Sequence, residues 1–132
     1  MDDREIRAAL DRHWAASEAG DDQAEHDIYL EEVVLDYPQS GERIHGRQNV
    51  QESRAQNPAQ RHFSVLRILG SGDLWVTEYV ITYDGRPFHT VSIMEFQEGK
   101  VARETQYFTE RFQAPSWRAR WTEPGVSAPT GV

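Results

Sequence analysis

The carboxylate of Asp36 is the most promising chemical group in the sequence. It follows the apolar run Val33-Val34-Leu35 and leads into a turn that contains Pro38 and Gly41. A carboxylate at such a strand end is easily placed at the mouth of a cavity, where desolvation raises its proton affinity and suits it to act as a general base near neutral pH. The structural alternative is that Asp36 only begins the turn, accepting a hydrogen bond from a backbone N–H two residues on.

Other common catalytic chemistries find little support in the residue types. The chain has no cysteine, which excludes a disulfide scaffold, thiol catalysis and any cysteine-based metal site. The five histidines lack the paired spacing of helical or strand metal motifs, and no serine lies in a nucleophile-elbow context. We therefore expect neither a metal nor a cofactor.

Charge and length narrow the class of protein. The 132 residues fit one domain, and the net charge is −8. Residues 1–36 hold twelve of the carboxylates against three arginines, which argues against nucleic-acid binding because that needs clustered basic groups. The chain starts with acidic residues and has no apolar run of membrane-spanning length. These features predict a soluble cytoplasmic protein without a membrane partner.

Helix signals dominate the first half of the chain. Asp2 followed by Glu5 starts an apolar stripe that Gly20 closes, which predicts a helix over residues 3–19. A second helix is predicted from Asp22 to about residue 31. A short strand over 33–37 and a third helix, opened at 46–50 and ended by Pro58, follow.

Strand signals dominate the second half. Four alternating runs are separated by turn sequences, of which Asp84-Gly85 is the strongest hairpin signal. The predicted strands cover residues 61–69, 74–83, 88–96 and 101–108. Three helices before an antiparallel sheet predict an α+β fold with the helices on one face. We expect one domain over residues 1–121 and a flexible tail over 122–132.

The order of elements and several local motifs resemble the NTF2-like superfamily, most of all its SnoaL-like polyketide-cyclase and ketosteroid-isomerase branch. The resemblance covers residues 3 to about 110. The motifs that carry it are Arg12-His13 before Gly20-Asp21, Asp36 before a glycine turn, Tyr83-Asp84-Gly85-Arg86-Pro87, Met94-Glu95-Phe96, and Glu98-Gly99-Lys100-Val101 leading to Tyr107-Phe108. The resemblance implies a curved antiparallel sheet that wraps around the helices in a cone with a deep pocket.

The resemblance also implies roles for single residues. Asp36 matches the proton-transferring carboxylate of steroid isomerases, His13 the tyrosine that donates to the enolate oxygen, and Ser92 a protonated aspartic acid. Gln106 matches a catalytic aspartate of limonene-epoxide-hydrolase-like members. These substitutions remove the strong oxyanion hole of an isomerase and complete no hydrolase site, so neither specific activity is implied.

Further candidates follow from the alternation of strand residues. Glu104 and Gln106 share the inward face that the family gives to the last strand, and Glu104 is either a partner of a nearby basic group or a second acid in the pocket. Trp75 and Tyr79 share one face of their strand and line the pocket or the core. His13 is either a core histidine or a proton donor. Tyr29 could reach the pocket mouth.

Two classes of function fit these residues. The first is a cofactor-independent enzyme of the isomerase, cyclase or dehydratase kind, in which Asp36 is the base, His13 the donor and Ser92 a substrate-orienting group. The alternative is a binding or scaffold member that turns over nothing. The expected ligand is a small apolar or polycyclic molecule with a carbonyl.

The outer surface and the end of the chain predict association. The resemblance implies a homodimer through the outer face of the sheet, with Val91, Ile93 and Val101 as candidate contacts. The segment after Phe108 extends beyond the family core and carries Trp117 and Trp121. Because exposed aromatic side chains seek a partner surface, we expect this segment to pack on its own sheet or on a neighbouring subunit.

Overall fold

A computed structural model describes residues 1–125. Its helices and strands follow in the order α1 (Asp3–Ala19), α2 (Asp22–His26), β1 (Tyr29–Tyr37), β2 (Glu42–His45), α3 (Arg47–Ala55), β3 (Arg61–Ser71), β4 (Leu74–Tyr83), β5 (Arg86–Gln97), β6 (Lys100–Glu110) and a 3₁₀ helix (Ser116–Trp121). The predicted α+β class is confirmed: the six strands form one curved, unclosed sheet beside the N-terminal helices. The part of the predicted tail beyond Gly125 lies outside the described residues.

The first helix forms where its cap signals place it. The Asp2 carboxylate accepts a hydrogen bond of 2.8 Å from the Glu5 N–H, and Gly20 ends the helix in the left-handed conformation at φ 74°. The buried face carries Ile6, Leu10 and Trp14, which pack on the sheet. The helix therefore supplies one wall of the core.

The sheet has the strand order β2-β1-β6-β5-β4-β3. Its strands pair antiparallel except β1 and β6, which run parallel with Leu35 beside Glu104 and Asp36 beside Thr105. Two of the three predicted hairpin turns have both central residues at positive φ, Asp84-Gly85 and Glu98-Gly99, as tight turns between twisted strands require.

The second predicted helix is too long, and its end belongs to the sheet. Helix α2 stops at His26, and β1 begins at Tyr29 rather than at residue 33. In β1 the side chains of Tyr29, Val33 and Leu35 point to the core, which is the alternation of a strand and not of a helix. Pairing with β6 decides between the two conformations.

The sheet has an inner face against the helices and an outer face away from them. Leu35, Tyr79, Met94 and Phe96 are buried on the inner face. Val101, which the sequence suggested as a dimer contact, is also fully buried in the core, so that expectation is wrong. Its backbone N–H bonds the carbonyl of Ile28 at 2.9 Å, which holds the start of β6 to the start of β1.

Candidate functional site

The candidate site is a buried polar group on the inner face, here called the inner cluster. Its side chains come from five elements: Tyr29 on β1, Arg54 on α3, Tyr79 on β4, Ser92 on β5, and Glu104 and Gln106 on β6. The register explains the convergence, because Ser92 lies opposite Gln106 and Tyr79 lies one strand further along. Five of the six are at most 6% exposed, and the Arg54 side chain is 14% exposed.

Gln106 binds two of the hydroxyl groups of the inner cluster, those of Tyr79 and Ser92. Its Nε2 donates to Tyr79 Oη and to Ser92 Oγ, both at 3.0 Å. The two hydroxyl oxygens are 2.9 Å apart, so the three groups form a closed triangle. Burial raises the pKa of the Tyr79 phenol, which therefore stays protonated and available as a donor.

Arg54 binds the remaining members of the inner cluster, Tyr29 and Glu104. Its Nη1 donates to Tyr29 Oη at 3.1 Å, and its Nη2 lies 3.5 Å from Glu104 Oε1. Glu25 on α2 adds a second carboxylate oxygen at 3.9 Å. Burial alone would lower the pKa of Arg54, but Tyr29 and the carboxylates raise it, so the guanidinium stays charged.

Glu104 is fully buried and only half satisfied. Oε1 accepts a short hydrogen bond of 2.5 Å from Tyr29 Oη, whereas Oε2 has no hydrogen-bond partner among residues 1–125. A buried carboxylate without a counter-charge would cost several kcal/mol, about 3–5 by typical values, and Arg54 supplies that charge. Of the two alternatives for Glu104, the structure shows the contact with a basic group, Arg54, and it leaves the role as a second acid open.

The group around Gln106 and the group around Arg54 are joined by the longest hydrogen bond of the inner cluster. Arg54 Nη2 reaches Gln106 Oε1 at 3.5 Å, the outer limit of a hydrogen bond. A ligand hydroxyl that accepts from Arg54 and donates to Gln106 Oε1 could replace this contact, because Gln106 Nε2 and Arg54 Nη1 would both keep their other partners. The contact between Arg54 and Gln106 is therefore the one that a ligand would most easily displace.

Half-buried aromatic side chains surround one end of the inner face, here called the aromatic rim: Tyr37, Phe63, Tyr83, Phe88 and Phe108. They lie at the end of β1, β4 and β6 and at the start of β3 and β5, and the strand directions bring these ends to one edge of the sheet. Tyr37 and Phe108 have ring centroids 6.0 Å apart, and Tyr83 and Phe88 5.4 Å apart. These rings form an apolar edge at that end of the inner face.

Asp36 is not part of this site, contrary to the expectation from the sequence. It lies one residue after the inward-facing Leu35, so alternation turns its side chain to the outer face. Arg43 on β2 binds both of its oxygens at 2.6 and 3.1 Å, and Arg103 Nε lies 4.0 Å away. The Arg43 hydrogen bond is the main reason that the pKa of Asp36 is lowered, which makes it a poor general base.

His13 lies inside the protein but is fixed by the backbone. Its Nδ1 donates to the Glu25 carbonyl oxygen at 2.6 Å, and its ring centroid is 5.8 Å from that of Tyr29. Burial, with the charge of Arg54, lowers the pKa of His13 to about 3. The imidazole is therefore neutral at physiological pH and faces a groove of about 190 Å³ at the end opposite the aromatic rim, beside Met1, Ile28 and Lys100.

Trp75 belongs to the core rather than to the inner cluster. It is 2% exposed, and its indole N–H donates to the Gly72 carbonyl oxygen at 2.9 Å. It lies four positions before Tyr79, a distance of about 13 Å along β4. Of the eight residues that the sequence proposed, the structure brings together Tyr29, Tyr79, Ser92, Glu104 and Gln106.

Arg54 is the central residue that the sequence analysis missed. The signal was its spacing from Val50: four residues apart on a helix place two side chains on one face. Val50 is fully buried, so an arginine one turn later must also point inward. Among residues 1–125, no group of three or more His, Asp or Glu side chains is arranged to hold a metal ion, and no helix is long and apolar enough to cross a membrane.

The chain is similar to a known protein family and to several solved structures. The model of the SnoaL-like domain family matches residues 10–104. An NTF-2 like protein of unknown function from Burkholderia xenovorans LB400 is 55% identical, with 96% of this chain and 99% of that chain covered and a TM-score of 0.87. No curated protein matches.

Two more distant structures share the fold alone. A protein provisionally named a ketosteroid isomerase, from Kribbella flavida DSM 17836, is 22% identical over 94% of this chain and 92% of that chain, with a TM-score of 0.86. An LEH-like epoxide hydrolase from M. tuberculosis is 18% identical over 80% and 83%, with a TM-score of 0.68. The chain belongs to the SnoaL-like domain family of the NTF2-like superfamily.

Proposed function

We propose that the protein binds a small, largely apolar molecule that carries a carbonyl or hydroxyl oxygen. The observation that carries this proposal is the meeting of two phenols, a serine hydroxyl, an amide and a guanidinium behind an apolar edge. Ligand sites in proteins combine mostly apolar walls with a few convergent polar groups. The aromatic rim would contact the body of the ligand. Its oxygen would accept a hydrogen bond from Arg54, and a ligand hydroxyl would also donate to Gln106 Oε1.

Entry of the ligand requires Arg54 to move, and its helix suits that movement. Helix α3 has nine residues, of which only Val50 is buried. A short helix with little buried apolar area shifts at low cost. The Arg54 side chain is also the most exposed member of the inner cluster.

Three probes of one shape test the binding proposal: 2-naphthol, 2-naphthoate and naphthalene. We expect chemical-shift changes at inner-face amides with 2-naphthol or 2-naphthoate, and much weaker ones with naphthalene, because only the first two supply an oxygen acceptor. Gln106→Leu should weaken binding by about tenfold, the effect of one lost hydrogen bond. Asp36→Asn is the matched control and should bind as the parent does, since that carboxylate faces outward. Equal binding of naphthalene, or no change at the inner face, would refute the proposal.

A second candidate function is proton transfer next to a carbonyl, with Glu104 in the role first expected for Asp36. The favouring observation is Glu104 Oε2, a buried carboxylate oxygen without a partner. It could take a proton from the carbon beside a bound carbonyl and return it at another position, while Tyr79 and Ser92 donate to the enolate oxygen. Such a reaction needs no cofactor and belongs to the isomerase, cyclase and dehydratase class.

Deuterium uptake into 2-tetralone in D₂O measures this proton abstraction directly. The protein should accelerate exchange at the carbon between the ring and the carbonyl, and Glu104→Gln should abolish the acceleration. Exchange at the buffer rate with the parent protein would leave ligand binding as the function. An unchanged rate in Glu104→Gln would exclude Glu104 as the base.

We also infer a homodimer through the outer face of the sheet. Val91 and Ile93 lie half-buried on that face, next to the more exposed Tyr107. The cytoplasmic location stays a prediction from the composition.

A further inference from the structure

The segment that follows β6 has few contacts with the rest of the molecule among residues 1–125. Residues 111–121, here called the arm, leave β6 and end in the 3₁₀ helix Ser116–Trp121. Phe112, Trp117 and Trp121 are 73–74% exposed. Of the two surfaces expected to cover these side chains, their own sheet does not do so, and the neighbouring subunit is left.

The charge of the arm opposes that of the rest of the molecule. Arg111, Arg118 and Arg120 are its only charged residues, which leaves 11 basic groups against 22 carboxylates elsewhere in the chain. The guanidinium carbons of Arg118 and Arg120 lie 5.5 and 5.1 Å from the ring centroids of Trp117 and Trp121. The arm is therefore a basic, aromatic segment on a protein whose excess of carboxylates lies in residues 1–36.

A groove on the outer face lies where the arm begins. It has a volume of about 150 Å³ and is lined by Leu66, Glu78, Val91 and Tyr107, with Gln39 at its edge. Leu66 is 55% exposed and Tyr107 42%. Gln39 is held against β6 by two hydrogen bonds of 2.6 Å. Its Nε2 donates to the Phe108 carbonyl oxygen, and its Oε1 accepts from the Phe108 N–H.

We propose that the arm of one copy binds the outer-face groove beside Tyr107 on a second copy of the chain. The exchange is reciprocal in a two-fold dimer: each copy gives an arm and receives one. The aromatic side chains occupy the apolar groove, and the arginines lie beside Glu78 in its lining. The inference adds a specific contact to the proposed homodimer and does not depend on ligand binding.

The area at stake is large enough for a stable dimer. An aromatic residue buries about 150–250 Å² when it is covered, so the six aromatic residues of two arms offer on the order of 1,000 Å². With an equal area covered on the receiving faces, the total falls within the range of specific interfaces, about 1,200–2,000 Å². Without the arms, the outer faces alone would have to bury an area of this size.

The test compares four chains by light scattering and sedimentation at several concentrations: the parent, a truncation after Gln113, Leu66→Asp, and Leu69→Asp as a matched control. Leu69 is 53% exposed on the same strand but does not line the groove. We expect dimers for the parent and for Leu69→Asp. The truncation and Leu66→Asp should weaken the dimer about 100-fold, as the loss of aromatic anchors and their pocket does. Circular dichroism checks that each chain is folded.

Complementation separates a lost contact from a damaged fold. The truncated chain keeps its groove and the Leu66→Asp chain keeps its arm, so an equal mixture should form a heterodimer with one arm seated, although each chain alone stays monomeric. A truncated chain that dimerises as the parent does would overturn the arm proposal and leave the dimer standing. A monomeric parent would overturn both, and equal effects of Leu69→Asp and Leu66→Asp would overturn the placement in the groove.

Discussion

Arg54 organises the interior at the scale of single residues. It is one cation between two buried carboxylates, Glu25 and Glu104, and it also donates to Tyr29 and reaches Gln106. A buried charge that loses its partner is more destabilising than a pair that is removed as a whole. The inner cluster is therefore expected to respond to paired changes differently from single ones.

Replacing Arg54 with Met should lower the free energy of unfolding by about 3–5 kcal/mol, because Glu104 is left charged and unpaired in the core. Adding Glu104→Gln to that variant should recover part of the loss, with a coupling of about 1–3 kcal/mol between the two sites. Urea unfolding of the parent, both single variants and the double variant measures the cycle. Additive losses would show that the two side chains are not energetically coupled.

The buried imidazole of His13 should make stability depend on pH. Its pKa is about 3 in the folded protein against 6.5 for an unperturbed histidine, so between these values only the unfolded chain takes up the proton. Stability therefore falls as the pH drops below 6.5, by about 1.4 kcal/mol per pH unit for this group. From pH 7 to pH 5 the parent should lose about 2 kcal/mol more than His13→Gln, measured by urea unfolding. Equal losses in the two chains would mean that His13 is accessible to protons.

At the scale of elements, local signals predicted what local interactions decide. The cap at Asp2, the stop at Gly20 and the Asp84-Gly85 turn depend on neighbours within a few residues, and each forms as expected. Alternation along one strand placed Glu104 and Gln106 on the same face, the resemblance implied that this face points inward, and both side chains are buried. The conformation of residues 29–31 did not, because pairing with β6, some 70 residues later, overrides their helical spacing.

The errors at the site have the same origin. The predicted strand ends where β1 ends, at Tyr37, but β2 was not predicted, and it supplies Arg43 as a partner for Asp36 from across a turn. Arg54 joins the cluster from a helix whose orientation is set by the whole sheet. Side chains that share one strand were predictable, and side chains that meet from separate elements were not.

At the scale of the whole molecule, one long-range pairing joins the two halves of the chain. Strand β1 lies between β2 and β6, and β2 has no other neighbour in the sheet. The N-terminal half is thus attached to the four-stranded meander chiefly through β1 and β6. Contacts between residues so distant in sequence form late, because the intervening chain must first be closed.

This topology has a consequence for synthesis on the ribosome. Tyr29, Val33 and Leu35 leave the ribosome long before Glu104, and at typical rates roughly 4 to 15 seconds pass between the emergence of Tyr37 and that of Glu110. During that interval the apolar strand β1 has one free edge and no completed core, the state that chaperones bind. A stalled nascent chain that ends before Lys100 should accordingly be cut by protease within residues 29–37, and one that extends past Glu110 should resist.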